Sequence, residues 1–158
     1  MSFQKAKEHL QKYGLANNIV EFSTSSATVK EAAKALHCKE EEIAKTMSFF
    51  VEDKAILIVT AGDQKIENAK FKAFFKNKGK MIPSLMVEDA IGHSVGGVCP
   101  FGILEKVTVY LDISLKRFDI VYPACGSDHS AVKLTIEQLE KASNFKQWID
   151  VCKKIEKD

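Results

Sequence analysis

The sequence predicts an α/β protein of the α+β type: a mixed, largely antiparallel sheet curled into a barrel, with helices flanking it. Three observations lead there. Short apolar, β-rich runs are scattered along the chain between amphipathic segments, without the regular strand-helix alternation of a doubly wound fold. Two of these runs are separated only by Glu52-Asp53-Lys54, which marks a hairpin and hence antiparallel pairing. No Gly-x-Gly-x-x-Gly or Walker pattern follows any strand, which argues against a dinucleotide or nucleoside-triphosphate fold.

The elements follow in order. Phe3, Ala6, Leu10 and Tyr13 recur at helical spacing and Gly14 stops them, so a helix is predicted over 3–13. Ile19 to Phe22 reads as a short strand. Thr28 and Glu31 form a capping box ahead of Val29, Ala32, Ala33 and Leu36, which share one helical face down to about His37. Glu40, Glu41 and Glu42 suit the positive end of a further short helix, expected to carry Ile43, Ala44 and Lys45. Thr46 to Val51 and Ala55 to Thr60 are the hairpin strands. A helix rich in lysine and phenylalanine is expected near 67–77, and Pro83-Ser84 opens another from Leu85 to Ile91. Strands are predicted at Val107 to Leu111, Ile120 to Tyr122 and Ala131 to Leu134. Thr135 and Gln138 cap a helix ending near Ala142, while 145–152 fits neither period.

With 158 residues, 46% of them hydrophobic, the chain is expected to form one domain over 1–158. No apolar run reaches membrane-spanning length and no apolar block follows Met1-Ser2-Phe3-Gln4-Lys5, so a cytoplasmic protein without a membrane partner is expected. Cys38, Cys99, Cys125 and Cys152 stand far apart with no Cys-x-x-Cys pair, which argues against a zinc knuckle and a dense disulfide frame. A net charge of +2 does not mark the whole chain as a nucleic-acid binder. Between Lys65 and Lys80, however, six lysines face a single carboxylate, Glu67, and interleave with Phe71, Phe74 and Phe75. Lys70, Lys72 and Lys76 are thus candidates for phosphate contact, and a solvated helix face explains the same letters.

Residues 92–102 hold four of the eight glycines and one of the three prolines. Glycine loses the most entropy on folding, so this density suits a backbone that must approach a ligand, with Gly96 and Gly97 both free to take positive φ. A bulge or tight corner of a barrel would use the same residues. Lys45 heads the first hairpin strand, where its stem is expected to be half buried and its ammonium held at a strand edge. A lysine snorkelling to solvent is the plain alternative. Gly126-Ser127-Asp128-His129-Ser130 forms a polar turn ahead of the last strand of the sheet. A cysteine hydrolase is also conceivable on these letters, with Cys99 activated by His93 or His129 and oriented by Asp128.

The string Ile43-Ala44-Lys45-Thr46-Met47, then Ala55 to Asp63, the loop Gly96-Gly97-Val98-Cys99-Pro100-Phe101-Gly102 and the turn at Gly126 resemble the YbaK/prolyl-tRNA synthetase-associated editing domain family. The match in order and spacing runs from the Thr28 helix to Trp148. The resemblance implies a freestanding trans-editing enzyme that hydrolyses the ester of a mischarged aminoacyl-tRNA without metal or other cofactor. Its partners would be the acceptor end of that tRNA and an aminoacyl-tRNA synthetase. It also implies that Lys45 is the catalytic lysine and that the Gly96 to Pro100 backbone (Gly96, Gly97, Val98, Cys99, Pro100) lines the aminoacyl pocket. Gly126 matches a third signature stretch, which places Ser127, Asp128 and His129 near the pocket mouth. Members acting on cysteinyl-tRNA carry Ser at the position of Cys99 and Lys-Arg-Gly at 127–129. The resemblance therefore leaves the amino acid open among Cys, Ala, Ser and Thr. A non-catalytic module that binds an aminoacyl-tRNA end or a nucleotide is the alternative.

Overall fold

The computed structural model describes residues 2–156; residues 1, 157 and 158, the ends of the expected domain span, lie outside the described residues. Five helices, α1 (Ser2–Gln11), α2 (Val29–Leu36), α3 (Asn68–Phe75), α4 (Ser84–Ile91) and α5 (Ile136–Ser143), flank a mixed sheet that curls as a half-barrel. The strands are β1 (Ile19–Glu21), β2 (Ile43–Val51), β3 (Lys54–Ala61), β4 (Gln64–Ile66), β5 (Lys80–Met81), β6 (Thr108–Asp112), β7 (Ile120–Pro123), β8 (Ser130–Val132), β9 (Leu134–Thr135), β10 (Gln147–Ile149) and β11 (Cys152–Lys154). The main sheet runs β10-β6-β3-β2-β7-β9, with β5 also on β2, while β1-β8 and β11-β4 pair separately.

The β2-β3 hairpin is the centre of the sheet, in register from Ala44 opposite Ala61 to Val51 opposite Lys54. Its turn residues Glu52 and Asp53 both take positive φ, +50° and +67°, so the turn follows the right-handed twist of the strands. Both capping boxes, Thr28-Glu31 and Thr135-Gln138, form as the sequence indicated. One expectation fails at the start of β2. Glu40–Glu42 close only a single 3-10 turn, and Ile43, Ala44 and Lys45 are strand rather than helix. The reason is tertiary: Ile43 and Ala44 pair in parallel with Tyr122 and Pro123 and bury almost completely.

Alternation along the hairpin builds two cores. Leu57 and Val59 join α1, α4, α5 and Phe101 on one side, whereas Ile56 and Ile58 pack with Phe49, Phe71, Tyr110 and Val151 on the other. Each fully buried aliphatic side chain there contributes about 1.5–3 kcal/mol of burial.

The covering of the outer edge of β2 positions the site. Parallel β7 covers it at Ile43 and Ala44, and antiparallel β5 at Phe49 and Phe50. The Ile82 N–H also donates to the Ser48 carbonyl at 3.1 Å. Between these contacts the edge at 45–47 is uncovered, which leaves a notch in the sheet.

Candidate active site

A cavity of about 250 Å³ occupies this notch. Because the edge is open, residues from both faces of β2 reach it: Lys45 and Met47 from one, Thr46 and Ser48 from the other. Val29 and Ala32 of α2, Ile82 after β5, Val87 of α4, and Gly96 and Val98 of the glycine loop complete much of the wall. Met81 and Val95 are exposed among the lining residues, and Leu85 stands almost fully in solvent next to Ser84, which also lines the cavity.

Among the described residues, Lys45 is the one cationic side chain along the cavity lining. It is half buried and, among the described residues, makes no side-chain hydrogen bond or ion pair. Burial lowers its pKa from the ordinary lysine value, with Cys152 and Asp63 opposing the shift. Neither neutralises it. The Asp63 carboxylate is gripped by Arg117 in a two-pronged pair at 2.6 and 3.1 Å, and burial pushes the Cys152 thiol up so that it stays neutral. The result is an ammonium with donors to spare beside a small, largely apolar space.

The glycine loop and the polar turn are clamped together behind that space. Gly96 has φ +96°, and its notional Cβ would touch the side chains of Asp128 and Ala27. Gly97 departs from the expectation of positive φ; glycine is needed there for close approach. A Cβ on Gly97 would lie 2.5 Å from both the Gly126 carbonyl carbon and the Ser127 nitrogen, and the Gly126 N–H donates to the Gly97 carbonyl at 3.0 Å. Gly126 combines φ +81° with an equally close approach to the backbone of Ser2 at the start of α1. A turn and a site are therefore one construction: tight backbone packing of 97 on 126 holds Gly96 and Val98 against the cavity.

A family model described as the aminoacyl-tRNA editing domain matches residues 24–142, a span that contains the notch, the loop and the turn. The chain belongs to the aminoacyl-tRNA editing domain family. It is 47% identical over 154 residues to the uncharacterized protein YwhH of Bacillus subtilis (strain 168), covering 97% of this chain and 98% of that protein. It is 26% identical over 151 residues to the proline–tRNA ligase of Geobacillus sp. (strain WCH70), covering 95% of this chain and 25% of the ligase. The chain thus spans about a quarter of that relative. The crystal structure of a candidate trans-editing enzyme for prolyl tRNA synthetase matches with a TM-score of 0.87 at 25% identity, covering 96% of this chain and 97% of that one.

Within this editing domain the cysteine-hydrolase constellation is dispersed. Cys99 is fully buried in the core, does not line the cavity, and has its thiol pushed well above the ordinary range by burial. His93 is equally buried. Its Nε2 donates to the Phe101 carbonyl at 2.5 Å and, carrying that proton, cannot accept one from Cys99 Sγ 3.5 Å away. Asp128 and His129 pair with each other at 2.9 Å on the exposed turn. Of the other expected pocket residues, Gly97, Pro100, Gly126, Ser127, Asp128 and His129 also stay off the cavity wall. They stand behind it or at its rim: Ser127 Oγ bonds Ser130 Oγ at 2.6 Å, and the Asp128 carbonyl accepts from the Ser26 N–H at 2.6 Å.

The lysine segment divides too. Lys70 is engaged by Asp150 at 3.1 Å, by Glu67 at 3.7 Å and by the Cys152 carbonyl at 3.0 Å. Lys72 and Lys76 are exposed and form no ion pair among the described residues. Ser26 and Thr46 are also lining residues, with hydroxyl oxygens that are buried and have no hydrogen-bond partner among the described residues, and sequence reading did not single them out. Ser26 belongs to no spacing pattern and Thr46 enters the sequence reading only as part of the first hairpin strand; the notch in the sheet brings them together. No helix among the described residues is long and apolar enough to cross a membrane, and no cluster of three or more His, Cys, Asp or Glu side chains among them is placed to hold a metal ion.

Proposed function

We propose that this chain is an aminoacyl-tRNA deacylase, one editing domain over 1–158 that acts in trans on the ester joining a wrong amino acid to the terminal adenosine. The observation that carries the reading is the half-buried, unpartnered Lys45 ammonium beside a cavity of about 250 Å³. An aminoacyl ester is already activated, so the protein has to orient it, keep larger acyl groups out and stabilise the charge that develops on the carbonyl oxygen. A lysine remains the acid form at neutral pH unless desolvation is extreme. Lys45 accordingly acts as hydrogen-bond donor to the carbonyl or adenosine oxygens, and the attack comes from water, an adenosine hydroxyl or the substrate's own side chain.

The remaining assignments follow from position. Gly96 and Val98 form the loop wall of the acyl site; Gly97, Cys99, Pro100 and Gly126 hold that wall in place; and Ser127, Asp128 and His129 rim it. Lys72 and Lys76 meet acceptor-stem phosphates, with Lys70 contributing less because its charge is already shared. The acyl group is drawn from Cys, Ala, Ser and Thr. The similarity to a quarter of a proline–tRNA ligase supports prolyl-tRNA acceptors as the first bodies to test. The experiment is hydrolysis of such tRNAs carrying each of the four amino acids. Release of at least one amino acid above the spontaneous rate supports the deacylase. Tight tRNA binding with no release from any substrate overturns it in favour of a binding module.

A further inference from the structure

We propose that the two-stranded ribbon β4-β11 carries a phosphate-binding pair, Lys65 and Lys153, over which the acceptor arm of the substrate tRNA runs. The inference takes its partner from the deacylase reading and extends the tRNA contact beyond α3. In the ribbon, Lys153 stands directly opposite Lys65, between the pairs Cys152-Ile66 and Lys154-Gln64. Side chains directly across an antiparallel ladder leave the same face, with Cβ atoms about 4.5–5.5 Å apart. Like charges in that position repel and weaken the ladder. Both lysines are exposed, whereas Cys152 and Gln64 on the alternate face are buried and Ile66 packs on the second core. The two ammoniums therefore add repulsion to the ribbon and nothing to the packing beneath it.

No carboxylate cancels the pair. Asp63 and Glu67, two positions either side of Lys65, are held elsewhere: Asp63 by Arg117 at 2.6 Å and Glu67 by Lys70 at 3.7 Å. Asp150 is likewise on Lys70, at 3.1 Å. Glu156, three positions beyond Lys153, is exposed and bonds neither lysine. Among the described residues, Lys65, Lys153 and the exposed Lys154 form no ion pair. Two free ammoniums at cross-strand spacing suit one phosphate group, whose oxygens accept from both. The ribbon also adjoins the site. Cys152, the neighbour of Lys153, lies close enough to Lys45 for each group to shift the other's pKa. Lys70 of α3 donates to the Cys152 carbonyl at 3.0 Å, so β11 touches the helix that bears Lys72 and ends at Lys76. An RNA strand that brings its terminal ester to Lys45 and its stem phosphates to Lys72 and Lys76 passes this ribbon. Its backbone, rather than an acidic protein, is the polyanion the geometry favours.

The experiment measures binding of one uncharged prolyl-tRNA transcript by fluorescence anisotropy from about 50 to about 200 mM salt, and the Tm of each free protein at the lowest salt. Wild type is compared with Lys65→Gln/Lys153→Gln, with Lys65→Arg/Lys153→Arg, and with Lys12→Gln/Lys133→Gln. The last removes the same charge from two exposed lysines elsewhere, one after α1 and one between β8 and β9. The glutamine ribbon variant is expected to lower the log-log salt slope by about one to two, to weaken binding severalfold at low salt, and to melt no lower than wild type because the repulsion is gone. The arginine variant keeps the wild-type slope, and the control loses less than half as much slope as the ribbon variant. An unchanged slope overturns the proposal. An equal fall in the control also overturns it, because net charge alone would then be read. So does a ribbon variant that melts several degrees lower, since the lysines would then hold the ribbon itself. Ester hydrolysis by wild type with an unchanged ribbon slope keeps the deacylase and removes the ribbon contact. A ribbon-dependent slope without hydrolysis of any ester removes the deacylase and keeps the contact, and wild type that binds no tRNA over this range overturns the contact outright.

Discussion

Replacing Gly97 with alanine tests whether the cavity wall is held by direct backbone packing. The added Cβ would sit 2.5 Å from the Gly126 carbonyl carbon, 2.5 Å from the Ser127 nitrogen and 2.8 Å from the Gly126 oxygen, where ordinary contact is 3.4–4 Å. These atoms are backbone and cannot swing aside. Gly126 is itself pressed against Ser2, so relief requires separating loop from turn by roughly 1 Å and weakening the Gly126 N–H to Gly97 carbonyl bond. Overpacking of this kind costs about 1–3 kcal/mol and the bond about 1 kcal/mol more, for a total of about 2–4 kcal/mol. In a chain of this length that lowers Tm by on the order of 10 °C. Gly14→Ala is the control: it has φ +72° and nothing within 4 Å of its Cβ, so it carries only the backbone strain of about 1–2 kcal/mol. Urea and thermal unfolding followed by circular dichroism measure both variants. The steric reasoning is refuted if Gly97→Ala is no less stable than Gly14→Ala.

Other expectations follow from the same geometry. Cys99→Ala should keep hydrolysis within about threefold of wild type while losing about 1–2 kcal/mol of stability as a buried side chain is trimmed; loss of turnover in a folded Cys99→Ala protein would restore the thiol as nucleophile. Because burial depresses the Lys45 pKa, its donating form titrates away below the usual lysine range. Enzymatic kcat/KM, corrected for spontaneous ester hydrolysis, should therefore fall on an alkaline limb centred below 10.5; a profile flat to that pH contradicts the donor role. Asp63, whose carboxyl is held below its ordinary value chiefly by hydrogen bonding to Arg117, stabilises the fold above its unfolded pKa and stops doing so as pH falls through the depressed one. With Arg117 partly exposed, Asp63→Asn should cost about 1 kcal/mol at pH 7 and almost nothing near pH 2, as measured by urea titration at the two pH values. Neutralising Lys72 and Lys76 together should reduce the salt slope of tRNA binding by up to about two; an unchanged slope returns them to a solvated helix face.

Much of the fold was legible because local signals and tertiary packing agree. The capping boxes at Thr28 and Thr135, the stop at Gly14 and the Glu52-Asp53 turn each act through their own backbone, so their letters suffice. Ile43 to Lys45 misled because three glutamates look like a helix start, while strand pairing with β7 decides the conformation. Strands β4, β5, β10 and β11 are two or three residues long and carry no readable period; long-range partners alone create them. Of the candidate site residues, Lys45, Gly96 and Val98 line one cavity. The density of glycine around 96–97 leaves ligand approach and a tight corner both open, and at Gly97 glycine answers to the backbone of Gly126. Ser26 and Thr46 were invisible because an unpartnered hydroxyl is a property of the folded surroundings and leaves no trace in spacing.

The most direct test of the central claim is the hydrolysis rate of the preferred mischarged tRNA by wild type and by Lys45→Ala, with tRNA affinity measured alongside. A donor to the developing carbonyl charge predicts that Lys45→Ala stays folded, binds tRNA within a few-fold of wild type and loses at least a hundredfold in kcat. A Lys45→Ala protein that hydrolyses the ester at the wild-type rate, or that loses only affinity, would contradict the account.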